Sequence, residues 1–157
     1  MCCWSNQLTR GPISNYSFHW EVKYGKTRRN RGCWEKYAQK LASAGVKSTD
    51  NLLEMGKTPK GRKEIAEKSG LNETLILKWV NHVDLFRIKG IGCEYADLLE
   101  AAGVDTVPEL AQRKAENLTP KLVAVNEEKK LLRKLPVLSQ VEAWIEQAKK
   151  LPRVISY

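Results

Sequence analysis

From Glu35 to Lys150 the apolar positions recur at helical spacing, and Gly, Pro and small polar residues cut them into brief segments. Tyr37, Ala38, Leu41, Ala42 and Ala44 make a short i, i+4 stripe that Gly45 ends. Ser48 or Thr49 caps a second helix through Leu52, Leu53 and Met55, which Gly56 stops. Pro59 suits a first helical turn, and the helix it opens passes Ile65 and Ala66 to reach Gly70. Asn72 caps a helix over 73–83, with Leu75, Ile76, Trp79, Val80 and Val83 on its buried face. The second half is punctuated in the same way. A helix over 94–102 ends at Gly103, and Thr106 with Glu109 matches a capping box that has Pro108 inside its first turn. Thr119-Pro120 opens a helix through Leu122, Val123 and Val125 to Leu131 and Leu132. Ser139 with Glu142 matches another capping box, opening a helix over 141–150 that Pro152 prevents from continuing. Trp79 and Trp144 fall on apolar faces as core anchors. β-Branched residues are scattered without period-2 runs, so no strand is predicted and the fold class is all-α.

The pattern repeats. Tyr37-Ala38, Leu41, Ala44-Gly45-Val46 and Leu52 match Tyr95-Ala96, Leu99, Ala102-Gly103-Val104 and Leu110 at a constant offset of 58. Thr58-Pro59-Lys60 matches Thr119-Pro120-Lys121 at an offset of 61. Two similar units sharing a core, over about 35–83 and 84–151, are expected within one domain at 35–157.

The most informative stretch runs from Leu85 to Leu99. An apolar helix end, the sequence Lys89-Gly90-Ile91-Gly92, and a helix carrying Ala96 form the pattern of a helix-hairpin-helix. Gly90 and Gly92 permit a tight turn and close backbone approach, and Ile91 plugs the space between the helices. N–H groups at the start of the next helix can receive a phosphate oxygen, and Lys89 can set a cation beside it. Contacts of this type hold the backbone and do not read sequence. Glu94 and Asp97 oppose a phosphate there, and the same hairpin also serves purely to pack helices.

Three stretches resemble a bacterial family of uncharacterised proteins, domain-of-unknown-function family 4332: Trp79 to Leu85, Arg87 to Gly92 and Tyr95 to Thr106. The end of the chain, Leu138 to Glu142 and Leu151-Pro152-Arg153, resembles it too. The resemblance covers about residues 35–157. It implies a tandem helix-hairpin-helix-like fold, related to small helical modules of DNA repair and replication proteins. It implies no established activity and no catalytic residues.

The first repeat lacks a Gly-apolar-Gly before Tyr37 and reads Arg31-Gly32-Cys33-Trp34 instead. A permitted back-translation of residues 24–34, read one base later, encodes Met-Ala-Lys-Leu-Glu-Glu-Ile-Glu-Gly-Val-Gly. That string supplies a start and the missing hairpin, and one restored base rejoins the frame at Glu35. Residues 1–34 are therefore expected to be either an out-of-frame translation or a lineage-specific arm, and the gene's nucleotide sequence decides between them. Their aromatic residues follow no helical period, so a disordered or weakly docked arm is expected.

Composition sets the outer bounds. A chain of 157 residues, 42% apolar and 29% charged, is an ordinary globular composition. The net charge of +9 raises the prior for an acidic partner. Residues 1–34, however, hold six basic residues and one acid, so five of those nine charges sit in the doubtful arm. With the alternative opening the surface is unremarkable, and the charge is no independent support for nucleic acid. Neither a ~20-residue membrane span nor a signal-peptide core is evident, so the cytoplasm is the expected location.

Cys2, Cys3, Cys33 and Cys93 lack CxxC spacing, and His19 and His82 have no ligand-like company in the sequence, so no metal site and no cofactor are expected. Cys93 starts a helix but has no histidine partner, so it is expected to pack inertly. His82 and Asp84 point different ways on a helix, with a capping or surface role for Asp84. The basic Gly56–Lys63 piece has neither the order of a phosphate loop nor a preceding strand. No catalytic set emerges. The expected role is a non-catalytic binding module, contacting nucleic-acid backbone through Lys89, Gly90, Ile91 and Gly92. The alternative is a protein-interaction or scaffold module. No small-molecule substrate and no membrane partner are expected.

Overall fold

The computed structural model describes Tyr37 and residues 39–157; the expectations for residues 1–34 lie outside the described residues. Among the described residues every regular element is a helix and none is a strand. The order is α1 (Tyr37 and 39–43), α2 (Thr49–Gly56), α3 (Pro59–Ser69), α4 (Glu73–Leu85), α5 (Cys93–Ala101), α6 (Val107–Gln112), α7 (Ala115–Lys129) and α8 (Leu138–Lys150). None is long and apolar enough to cross a membrane.

Local chemistry sets most boundaries. Ser48 Oγ accepts from Asn51 N–H at the start of α2, and Thr58 Oγ1 accepts from Gly61 N–H at the start of α3. Asn72 Oδ1 accepts from Thr74 N–H at the start of α4. Each satisfies one of the donors a helix start leaves free. Gly70 closes α3 in the left-handed region, at φ +66°.

The residues matched at an offset of 58 make matching contacts. Val46 N–H donates to Leu41 O and Val104 N–H to Leu99 O, both at 2.9 Å, with Gly45 at φ +88° and Gly103 at φ +77°. Asn51 Oδ1 reaches back to Lys47 N–H as Glu109 Oε2 reaches back to Asp105 N–H. The Thr106 box therefore forms one residue displaced, its Glu serving the residue before the cap. Tyr37 packs on Trp79, and Tyr95 on Trp144, each pair with ring centroids 5.0 Å apart. Ile76, Trp79, Val80 and Val83 of α4 are buried, and so are Val141, Trp144, Ile145 and Ala148 of α8.

Two apolar clusters result. One gathers Leu41, Val46, Leu52, Ile65 and the α4 face; the other gathers Leu85, Ile88, Leu99, Leu110, Leu122 and the α8 face. Phe86 packs against both. The tail beyond α8 returns to the first cluster. There Ile155 is buried, Ser156 N–H donates to Lys57 O at 2.7 Å, and Tyr157 OH donates to Asn81 Oδ1 at 3.1 Å.

Four boundaries differ from the sequence expectation by more than one residue. α7 begins at Ala115 and carries Pro120 inside it, so Thr119 is no cap; its Oγ1 is buried without a hydrogen-bond partner among the described residues. Burial of Leu118 and Leu122 holds the helix through the proline, and the Thr-Pro match at an offset of 61 is not a structural equivalence. α7 then stops at Lys129, short of Leu131 and Leu132. Asn126 bonds both backbone groups of Leu132, at 2.7 and 3.1 Å, folding the chain back so that Leu132 enters the core. α8 starts at Leu138 with Val137 as its cap residue, which leaves Ser139 inside the helix and its capping box unformed. α4 also runs two residues further than expected, because Asp84 and Leu85 are both buried.

Candidate nucleic-acid interface

The link from α4 to α5 is a string of tight turns. Arg87 N–H donates to Asp84 O, Ile88 N–H to Leu85 O and Ile91 N–H to Ile88 O, at 3.1–3.2 Å. Ile88 and Ile91 drop into the core, while Lys89 and Gly90 stay exposed. Gly90 adopts φ +96°, and a Cβ on it would lie 3.0 Å from Trp144 Nε1. Glycine is needed there both for the left-handed backbone and for space. Gly92 precedes α5 in extended conformation with no side-chain cap, so the first N–H groups of α5 have no intrahelical acceptor.

The same turn is docked from behind. Lys89 N–H donates to Gln147 Oε1 at 3.0 Å, and Gln147 Nε2 returns a 3.5 Å bond to Lys89 O. All four expected site residues are thus brought together, with the Lys89 side chain and Gly90 outward, Ile91 inward, and the Lys89 backbone committed to α8.

The electrostatics around the start of α5 are not those of an activated cysteine. Burial, then Asp97 and Glu94, push the Cys93 thiol up to about 11, so at neutral pH it is a packed thiol.

Sequence reasoning missed one cluster. His82, buried on α4, meets Glu100 and Asp97 on α5. Its Nε2 lies 2.9 Å from Glu100 Oε2 and its Nδ1 lies 3.8 Å from Asp97 Oδ1. Facing a carboxylate, Nε2 is the nitrogen that carries the proton and donates. The donor set fits a divalent cation by type, with ligand atoms within 4.8 Å of one another. Lys78 Nζ, however, already sits 2.9 Å from Glu100 Oε2 and supplies the positive charge. The cluster is a polar clasp that ties α4 to α5. Its signal was present as two helical spacings, Lys78/His82 and Asp97/Glu100, which the sequence does not say face each other.

The clasp has a pH signature. The His82 hydrogen bond, with that from Lys78, holds the Glu100 carboxyl down at about 2 against its ordinary 4.5. A depressed carboxyl contributes stability above its unfolded value and loses it as pH falls through the folded one. Glu100→Gln is therefore expected to flatten the wild-type loss of stability between about pH 4.5 and 2, read from urea midpoints across that range. Parallel wild-type and variant curves there would refute the assignment.

Asp84 works as the sequence suggested, but across the fold. Its Oδ1 accepts from Arg87 Nη1 at 2.6 Å, and its Oδ2 accepts from Val107 N–H, the first residue of α6, at 3.4 Å. The glycines of the basic 56–63 piece are explained by packing. A Cβ on Gly56 would fall 2.5 Å from Val80 Cγ2, and one on Gly61 would fall 1.8 Å from Met55 O. Lys57 pairs with Glu54, and Arg62 is buried, donating to Gly56 O at 3.0 Å.

A family model for a domain of unknown function, DUF4332, matches residues 31–151. The chain belongs to the DUF4332 family. No curated protein and no solved structure matches it. The DUF4332 match starts at Arg31 and so takes in the Arg31-Gly32-Cys33-Trp34 stretch that the sequence resemblance left outside. It ends at Leu151, before the tail whose Ile155 completes the first core of this DUF4332 chain.

Proposed function

We propose that this chain is a non-catalytic binding module of two helix-hairpin-helix-like repeats. It grips the phosphate backbone of nucleic acid, without reading sequence, through Lys89, Gly90, Ile91 and Gly92. The observation that carries this reading is the exposed Lys89-Gly90 turn, anchored by buried Ile91 and followed by a helix start with no side-chain cap. An anion seated there would meet backbone donors, the positive end of α5 and the Lys89 ammonium.

Duplex DNA titrated at several salt concentrations tests it. Wild-type affinity is expected to fall steeply with log salt, and loss of one phosphate contact in Lys89→Glu is expected to reduce that slope by about 0.9. Lys89 is exposed, so the variant folds and its circular dichroism serves as the control. No binding at low salt would sink the reading. A second reading, a protein-interaction or scaffold module, draws on the docking of the turn's backbone to Gln147. Under it Lys89→Glu leaves DNA behaviour unchanged.

A further inference from the structure

A second basic feature lies away from the turn. The corner between α6 and α7 forms an open concavity lined by Gln112, Arg113, Lys114, Asn117, Leu118 and Lys121, with Ala102 at its floor. Among the described residues no carboxylate lines it. Two of its three cations converge on Gly103. Arg113 Nη2 donates to Gly103 O at 2.9 Å, and Lys121 Nζ lies 3.9 Å from where a Gly103 Cβ would stand. Among the described residues none of the three is in an ion pair, although four other lysines are: Lys57, Lys68, Lys78 and Lys149.

Like charges gathered in one hollow without a counter-ion repel one another, and an anion relieves that repulsion. The first half of the chain carries only one of the three charges: the positions 58 residues before Arg113 and Lys114 are Met55 and Gly56, both inside α2, and the position 58 residues before Lys121 is Lys63. Arg113 is also pre-oriented: its bond to Gly103 O fixes the guanidinium and leaves its other N–H donors for a ligand. Gln112 and Asn117 add amide donors. Lys114 precedes α7 in extended conformation with no side-chain cap, so the Ala115 and Glu116 N–H groups beside it have no intrahelical acceptor.

We propose that this corner is a phosphate site, in which Arg113, Lys114 and Lys121 hold a phosphate group, either free or as a phosphodiester of a nucleic-acid strand. The strand form rests on the reading of the chain as a backbone binder; the free-ion form does not.

Two titrations of the full chain test it, with wild type, Lys121→Gln, the Arg113→Gln/Lys121→Gln pair and Lys89→Glu. The Lys121 side chain makes no hydrogen bond or ion pair among the described residues, so its single variant guards against a folding defect in the pair. Inorganic phosphate is followed by the amide signals of Ala115, Glu116 and Asn117. Duplex DNA is followed by the slope of log affinity against log salt. If free phosphate is a ligand, those signals shift in wild type, and the response weakens in Lys121→Gln and is lost in the pair. If the phosphate belongs to a strand, the slope drops in the single variant and drops by about 0.9, one phosphate contact, in the pair. Either result supports the site. No amide shift with phosphate, together with wild-type slopes in both corner variants, overturns it. Lys89→Glu separates the two sites: a changed slope there, with wild-type slopes in the corner variants and no amide shift with phosphate, sinks the corner alone, whereas lowered slopes in the corner variants with a wild-type slope in Lys89→Glu sink the turn alone.

Discussion

Replacing Trp144 with alanine is expected to lower the free energy of unfolding by about 3–5 kcal/mol, read as a shifted urea midpoint at unchanged m-value. Trp144 is 1% exposed, stacks edge-on with Tyr95, and lies in the second core beside Val141 and Ile145. Its loss would leave a cavity that rigid helices on several sides refill only in part. The position also has a functional consequence, because Trp144 Nε1 is the group that Gly90 packs against. Trp79 holds the matching place in the first core against Tyr37, and Trp79→Ala is expected to cost a similar amount. The two should differ in hydrogen exchange. Trp144→Ala speeds exchange of the Lys89–Gly92 amides, whereas Trp79→Ala leaves it unchanged. Equal exchange at the turn in both variants would break the link between Trp144 and the candidate interface.

What could be read from the sequence follows a simple physical division. Helices whose ends are fixed by local chemistry were legible: Ser48, Thr58 and Asn72 bond N–H groups two or three residues on, and Gly45, Gly70 and Gly103 take left-handed backbone. Helices whose ends are fixed by distant contacts were misplaced. α7 keeps Pro120 because Leu118 and Leu122 are held in the core, and it ends where Asn126 ties back Leu132. Neither influence has a fixed spacing that a motif would reveal. The candidate site divides the same way. Lys89-Gly90-Ile91-Gly92 is contiguous and was visible. The His82–Glu100 clasp and the Arg113–Lys121 corner are assembled by packing, and each of their residues alone reads as an ordinary surface or core position.

Asp84 makes the other large expected effect. Asp84→Ala is expected to cost about 3–5 kcal/mol, the range for removing one partner of a buried ion pair. The carboxylate is 1% exposed and serves two donors at once, Arg87 Nη1 and the Val107 N–H. Removing it strands a guanidinium that is only 20% exposed, and it leaves the first N–H of α6 without its acceptor. Arg87 would keep its two 3.2 Å bonds to Pro152 O, but a neutral carbonyl does not balance its charge. The effect should therefore belong to the pair rather than to either residue. In a double-mutant cycle, Asp84→Ala with Arg87→Ala is expected to cost clearly less than the sum of the single variants, since the second change removes the charge that the first strands. Costs that simply add would mean that Asp84 acts through Val107 and the start of α6, and that the ion pair contributes nothing to joining α4 and the tail.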